Sequence, residues 1–275
     1  MLTALTLALP GCARADDPSP EPARTPSAGP TRHDYLPGLA AFPHLPQGVT
    51  EAPVVVMIPG GGWQSADPTG LEPLAAALAA QGVVAQPVVI RAAQDGVVYP
   101  VPVEEVLCAL ADGAATASAA GIRPTRLVLL GHSSGAHLSA LATLDPGAVS
   151  PSCEDPLVEP DALVGLAGPY DIRKFSDAAE GLFPPDADQA VWDAANPVLL
   201  ADHRPEVPVL LLHGDADELV PVSFSEDFAA ALRTGGHPTT LQVLPGVNHG
   251  EVYAANVAAP PVLAWLAALP AAGKP

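Results

Sequence analysis

Ser133 stands in Gly131-His132-Ser133-Ser134-Gly135, with a glycine two residues away on each side. A serine hydroxyl becomes a useful nucleophile when a base takes its proton and an acid orients that base. Both kinds of residue follow along the chain. His249 lies in Gly246-Val247-Asn248-His249-Gly250, a glycine-flanked loop able to deliver an imidazole. Asp215 and Asp217 lie in Leu212-His213-Gly214-Asp215-Ala216-Asp217-Glu218, and either is placed to orient it. Upstream, Pro59-Gly60-Gly61-Gly62-Trp63 offers backbone N–H groups that can approach a ligand closely, because glycine carries no side chain to block them. Together these residues suit attack on a carbonyl, with the developing oxyanion held by backbone donors.

The elements around them follow from apolar patterning. Residues 53–58 (PVVVMI) form the β-branched run of a strand buried on both faces. Residues 71–80 are Ala/Leu-rich and helical, and residues 83–90 are strand-like with Pro87 interrupting. Val103, Val106, Leu107 and Leu110 recur at helical spacing within a helix over 103–114, introduced by Pro102 and by Glu104 and Glu105. Residues 127–130 are a strand that runs into the Ser133 motif, and residues 134–144 are the helix that leaves it. That strand–turn–helix context distinguishes a serine raised on a sharp turn from a chance five-residue match, and it puts the Ser134 N–H at a helix N-terminus. Strands are expected at 162–166, 207–212 and 239–244, and helices at 224–233 and 257–269 despite Pro260-Pro261. The alternation predicts an α/β domain with a mostly parallel, doubly wound sheet and helices on both faces.

Taken together, these motifs resemble the α/β-hydrolase fold of the esterase/lipase group, near carboxylesterases of the hormone-sensitive-lipase type and kynurenine formamidase-like enzymes. Gly131 to Leu138 matches the family's Gly-His-Ser-x-Gly-x-His-Leu, and Gly168-Pro169-Tyr170-Asp171 is also family-like. The resemblance covers roughly residues 54–269 and implies a Ser133, Asp217, His249 triad in that order. The pattern His-Gly-x-x-Asp-x-x-Val-Pro favours Asp217, with Asp215 as its rival. The resemblance also places an oxyanion hole at the N–H groups of Ser134 and of Gly61 or Gly62. The chain departs from the family at Pro59, where a histidine usually stands, so whatever ordering contact that histidine makes must come from elsewhere. Trp63, Tyr170 and Trp192, with Phe175, are candidates for lining the substrate pocket. Cys108 and Cys153 fall on elements that neighbour each other in this fold, so a disulfide is expected, with two separate buried thiols as the alternative.

The other histidines carry structural expectations. His132 should point away from Ser133, His213 should pack or hydrogen-bond at a strand end, and His137 sits one turn into a helix. His33, His44, His203 and His237 fall in loops or linker. No CxxC or His-x-Glu-x-x-His cluster is present, and the glycine loop lacks the Gly-Lys-Ser/Thr ending of a phosphate cradle, so neither a metal nor a nucleotide cofactor is expected.

Residues 2–9 (LTALTLAL) are too few to span a bilayer, which needs roughly 20 residues, and suit the apolar part of an export signal. Leu9-Pro10-Gly11-Cys12 resembles a lipobox with Cys12 as the lipidated residue, although Pro10 replaces a small residue. No basic residue precedes the run, which points to a start upstream of Met1. Residues 1–11 are therefore read as a lipoprotein-type signal, 12–34 as a Pro-rich tether and 35–275 as the catalytic domain. A cell-surface lipoprotein is expected, otherwise a secreted protein.

The 275 residues carry 30 acids against 11 Lys and Arg, a net charge of −19. That excludes electrostatic binding to nucleic acid or to an anionic membrane, leaving Cys12 as the only membrane attachment. Residues 145–227 alone hold 18 acids and three bases. They include the loops expected over the site, so neutral or cationic small-molecule esters are favoured as substrates. Formamides or other amides remain alternatives, as does a non-catalytic surface-binding protein on the same scaffold, which an intact triad argues against.

Overall fold

The computed structural model describes residues 1–3 and 32–270. The β-branched run at 53–58 lies in strand β3 (Glu51–Ile58), and Val54 to Ile58 are fully buried. Alternate side chains of β3 enter opposite layers, as a period of two requires. Val54, Val56 and Ile58 join one cluster and Val55 and Met57 the other.

An antiparallel hairpin of β1 (His33–Leu36) and β2 (Leu39–Ala41) precedes β3. His33 and Asp34 are thus in a strand rather than in linker. After β3 come α1 (Glu72–Ala79), β4 (Val84–Pro87), α2 (Val101–Ala119), β5 (Arg123–His132), α3 (Ser134–Leu144) and β6 (Ala162–Leu166). Short helices α4 (Ser176–Ala179) and α5 (Gln189–Ala194) lead to β7 (Val209–Gly214), α6 (Ser223–Gly235), β8 (Thr239–Leu244) and α7 (Ala255–Ala268). The six strands run β4-β3-β5-β6-β7-β8, and every pairing is parallel. Residues of α2, α3 and α6 cover one face, and residues of α1 and α7 the other.

Helix α2 and strand β4 differ from the sequence expectation for identifiable reasons. Helix α2 runs to Ala119, because the small residues 115–119 continue the helix, with only Ala117 among them reaching the core. Strand β4 stops at Pro87, after which Val88 bridges Ala41 in the hairpin. Pro87 closes this edge strand, its carbonyl accepting the Phe42 N–H from the segment that flanks β4 while its missing donor costs the six-stranded sheet nothing. Helix α7 runs through Pro260 and Pro261 as expected, with Ala258, Ala259, Val262 and Trp265 buried. A disulfide joins Cys108 on α2 to Cys153 in the loop after α3.

The strand order reverses between β3 and β5: β3 leads outward to β4, whereas the chain returns to β5 on the other side. Loops leaving neighbouring strands diverge at such a point and open a crevice at their carboxyl ends. The loop at 59–63 and the turn at Ser133 are these two loops.

Candidate active site

Strand β5 ends at His132, and α3 begins at Ser134, so the whole reversal falls on Ser133, at φ 53° and ψ −123°. The flanking glycines are a packing requirement. A Cβ on Gly131 would lie 2.2 Å from the Gly135 carbonyl oxygen, and one on Gly135 would lie 2.4 Å from that of Ile58. The Ser133 N–H is anchored to the Leu166 carbonyl at 2.8 Å. Gly60 passes directly beside the serine, since a Cβ there would stand 2.9 Å from the Ser133 Cβ.

His249, between β8 and α7, reaches the serine, with Nε2 2.9 Å from Ser133 Oγ. Its Nδ1 is 2.7 Å from Asp217 Oδ2. A carboxylate only accepts, so Nδ1 carries the proton and Nε2 presents a lone pair to the serine O–H. Asp217 Oδ1 accepts the N–H groups of Leu219 and Val220, each at 2.9 Å. Burial raises the Asp217 carboxyl's pKa. Hydrogen bonds from Val220, His249 and Leu219, with attraction to His249, outweigh that and hold it below the ordinary carboxylate value. Asp215, the rival, accepts the Gly246 N–H at 2.6 Å on the exposed side and so shapes the loop that carries His249.

His213 is fully buried. Its Nε2 is 2.8 Å from the Val220 carbonyl and 3.2 Å from Asp217 Oδ2, while Nδ1 faces Ser225 Oγ at 2.7 Å. One Nε2 proton shared between the carbonyl and the carboxylate satisfies this arrangement, and the Ser225 hydroxyl then donates to Nδ1. The expectation of a hydrogen-bonded strand-end histidine is met, with the triad-position acid as one of its partners. Burial lowers its pKa.

His132, expected only to point away from the serine, packs against His249. Its Nε2–H donates to the His249 carbonyl at 3.0 Å, and the two ring centroids are 4.8 Å apart. Tyr253 closes the other side, 4.5 Å away. Burial, then repulsion from His249, lowers its pKa from 6.5 to about 4. His137 also does more than occupy a helix: fully buried, it receives the indole N–H of Trp63. Both histidines lie within the 131–138 motif, which shows the residue types but not their partners across the fold.

The pocket candidates divide. Trp63 borders a narrow cavity with Ser134, Leu138, Ile90 and Leu182, whose free volume of about 10 Å³ holds roughly one water. Tyr170 is not a pocket residue, because it is completely buried and stacked on Phe228 of α6 at 4.3 Å. Trp192 stacks on Phe183 at 3.9 Å and does not line this cavity. Both act as packing, because large aromatic surfaces in a loop-rich layer gain most by covering one another. Phe175 stands edge-on to Trp63. Cys12 lies outside the described residues.

In the glycine loop, Gly61 has φ 146° and Gly62 φ 61°. The Gly61 carbonyl accepts from Gln64 and Ser65, and a Cβ on Gly61 would lie 2.0 Å from the Ser65 carbonyl oxygen. Ser134 opens α3, where first-turn N–H groups have no partner within the helix.

A family model described as BD-FAE matches residues 44–232. The chain is 31% identical over 212 residues to the probable carboxylic ester hydrolase LipM of Mycobacterium tuberculosis, covering 72% of this chain and 49% of that protein. It is 28% identical over 252 residues to the esterase LipQ of the same organism, covering 83% and 57%. The chain thus spans about half the length of the curated relatives it matches. Among solved structures, the propionate-bound esterase 2 of Thermogutta terrifontis superposes with a TM-score of 0.72 at 20% identity, covering 91% of this chain and 98% of that one. At that identity the likeness concerns the fold.

Proposed function

The chain belongs to the BD-FAE family of α/β-hydrolases, and on that premise we propose that it hydrolyses carboxylic esters through an acyl-enzyme on Ser133. The observation that carries this is the continuous relay from Ser133 Oγ through His249 to Asp217, at 2.9 and 2.7 Å. The names of the relatives, a carboxylic ester hydrolase and an esterase, support the bond type.

In the proposed cycle Ser133 Oγ attacks the acyl carbon while its proton passes to His249 Nε2. Asp217 stabilises the resulting imidazolium. The tetrahedral oxyanion receives the Ser134 N–H and that of Gly61 or Gly62. His249 gives its proton to the departing alcohol, then activates a water that releases the acid and restores the serine. The narrow cavity beside Trp63 takes the acyl group and limits it to short chains.

The acidic loops favour neutral or cationic esters. Residues 1–11 act as the export signal and Cys12 as the lipid anchor of a surface protein. A Cys12→Ser protein that stays membrane-bound would refute that anchor.

The test is turnover of p-nitrophenyl acetate and butyrate by the protein beside its Ser133→Ala variant. Acetate turnover that disappears in the variant is expected. Equal turnover by both would remove Ser133 from the mechanism.

A further inference from the structure

The glycine loop after Pro59 holds a demanding conformation. Gly61, Gly62 and Trp63 follow one another at φ 146°, 61° and 58°. A bulky side chain avoids the left-handed region unless its surroundings impose it. Trp63 is 4% exposed, so its surroundings include most of its ring.

The polar contacts around that ring are specific. The Trp63 Nε1–H points to His137 Nδ1 at 3.3 Å, and the two rings meet edge to face with centroids 5.4 Å apart. His137 Nε2 lies 2.8 Å from the Ala195 carbonyl. A carbonyl only accepts, so the proton is on Nε2 and Nδ1 is a lone pair, the form that receives an indole N–H. Burial lowers the pKa of His137 to about 4, which preserves this form at neutral pH. Behind the ring, the Trp63 and Gln64 carbonyls accept the N–H groups of Ala93 and Gln94 at 3.0 and 3.1 Å.

His137 stands on α3, three residues after Ser134 and within its first turn. The indole follows Gly62 directly. We propose that the Trp63–His137 contact is a latch that sets the two halves of the oxyanion hole against each other, with His137 as a positioning residue that holds the glycine loop through the Trp63 indole. The latch rests on the hydrolase reading above. It fixes how far the 61–62 N–H groups lie from the Ser134 N–H, a spacing that matters only once an oxyanion bridges them.

Trp63→Phe keeps a ring and deletes the N–H. His137→Leu fills the space but cannot accept a hydrogen bond, whereas His137→Gln can accept with its oxygen and donate to Ala195 with its nitrogen. The readout is kcat and KM for p-nitrophenyl acetate, normalised to sites titrated with a fluorophosphonate, so that loss of folded protein does not count as loss of rate. Trp63→Phe and His137→Leu should each lower kcat per site by about 10- to 100-fold, with KM changed less than about threefold. The double variant should be no worse than the poorer single one, and His137→Gln should recover much of the rate. If His137→Leu does not fold, Trp63→Phe and His137→Gln carry the same comparison. An active wild type whose variants keep full kcat per site would overturn the latch alone. A wild type that neither turns over nor labels would overturn the hydrolase reading and the latch with it.

Discussion

Acid should destabilise this protein well above the range where its carboxylates titrate, and replacing His132 or His137 should remove that sensitivity in measurable steps. Burial lowers each imidazole from 6.5 to about 4 in the folded state. The unfolded chain therefore binds a proton at each position as pH falls through 6.5, while the folded protein does not until about 4. Stability is then lost as pH falls between those limits, and the loss ends below the lower one. A shift of this size corresponds to about 3 kcal/mol per residue, of which about 2 kcal/mol is lost between pH 7 and pH 5. Asp217 does not contribute in this window. Its lowered carboxyl gives up stability only as pH falls below 3.8 and on through its folded value. Urea unfolding followed by tryptophan fluorescence, at pH 7 and pH 5 and fixed ionic strength, measures the effect. The change in global charge with pH is nearly the same in His132→Gln, His137→Gln and wild type, so it cancels in the comparison. Each variant should lose about 2 kcal/mol less than wild type between the two pH values. If the pH 7 to pH 5 loss were the same in all three proteins, these imidazoles would not be held neutral by burial.

Asp217→Asn should lower kcat by about 10⁴-fold by misplacing the proton on His249, while Asp215→Asn, on the exposed side of the loop, should stay within about tenfold of wild type; steady-state kinetics separates them. Leu182→Ala should widen the cavity beside Trp63, raise butyrate turnover relative to acetate, and cost about 2–5 kcal/mol of stability in a denaturant titration. The excess of acids over residues 145–227 should give choline-type esters a lower KM than matched anionic esters at low salt, with the gap closing as salt is added.

The central strands were legible from the sequence because they are buried on both faces and read as apolar runs, as at 162–166, whereas the edge strand at 239–244 also matched end to end although it is only partly buried. The serine turn was legible for a different reason. Two glycines are forced by backbone contacts under 2.5 Å, so the spacing itself records the geometry. Choosing between Asp215 and Asp217 needed the family pattern, since both follow the same strand and only the fold shows which carboxylate turns inward. Tyr170 and Trp192 do not line the cavity, and the sequence could not show this because a lone aromatic residue gives no sign of its packing partner. Tyr170 found Phe228 some sixty residues away, and Trp192 found Phe183. The sequence is equally silent on the partners of His132 and His137. Their partners, His249 and Trp63, lie 117 and 74 residues distant.

The most direct test is intact mass spectrometry after exposure to a fluorophosphonate, followed by peptide mapping. A serine activated by His249 and Asp217 should gain one adduct, located on Ser133, in parallel with loss of p-nitrophenyl acetate turnover. Ser133→Ala should gain none, and His249→Ala should label at least about 100-fold more slowly. Equal labelling of wild type and Ser133→Ala, or an adduct mapped to another residue while turnover falls, would contradict Ser133 as the nucleophile.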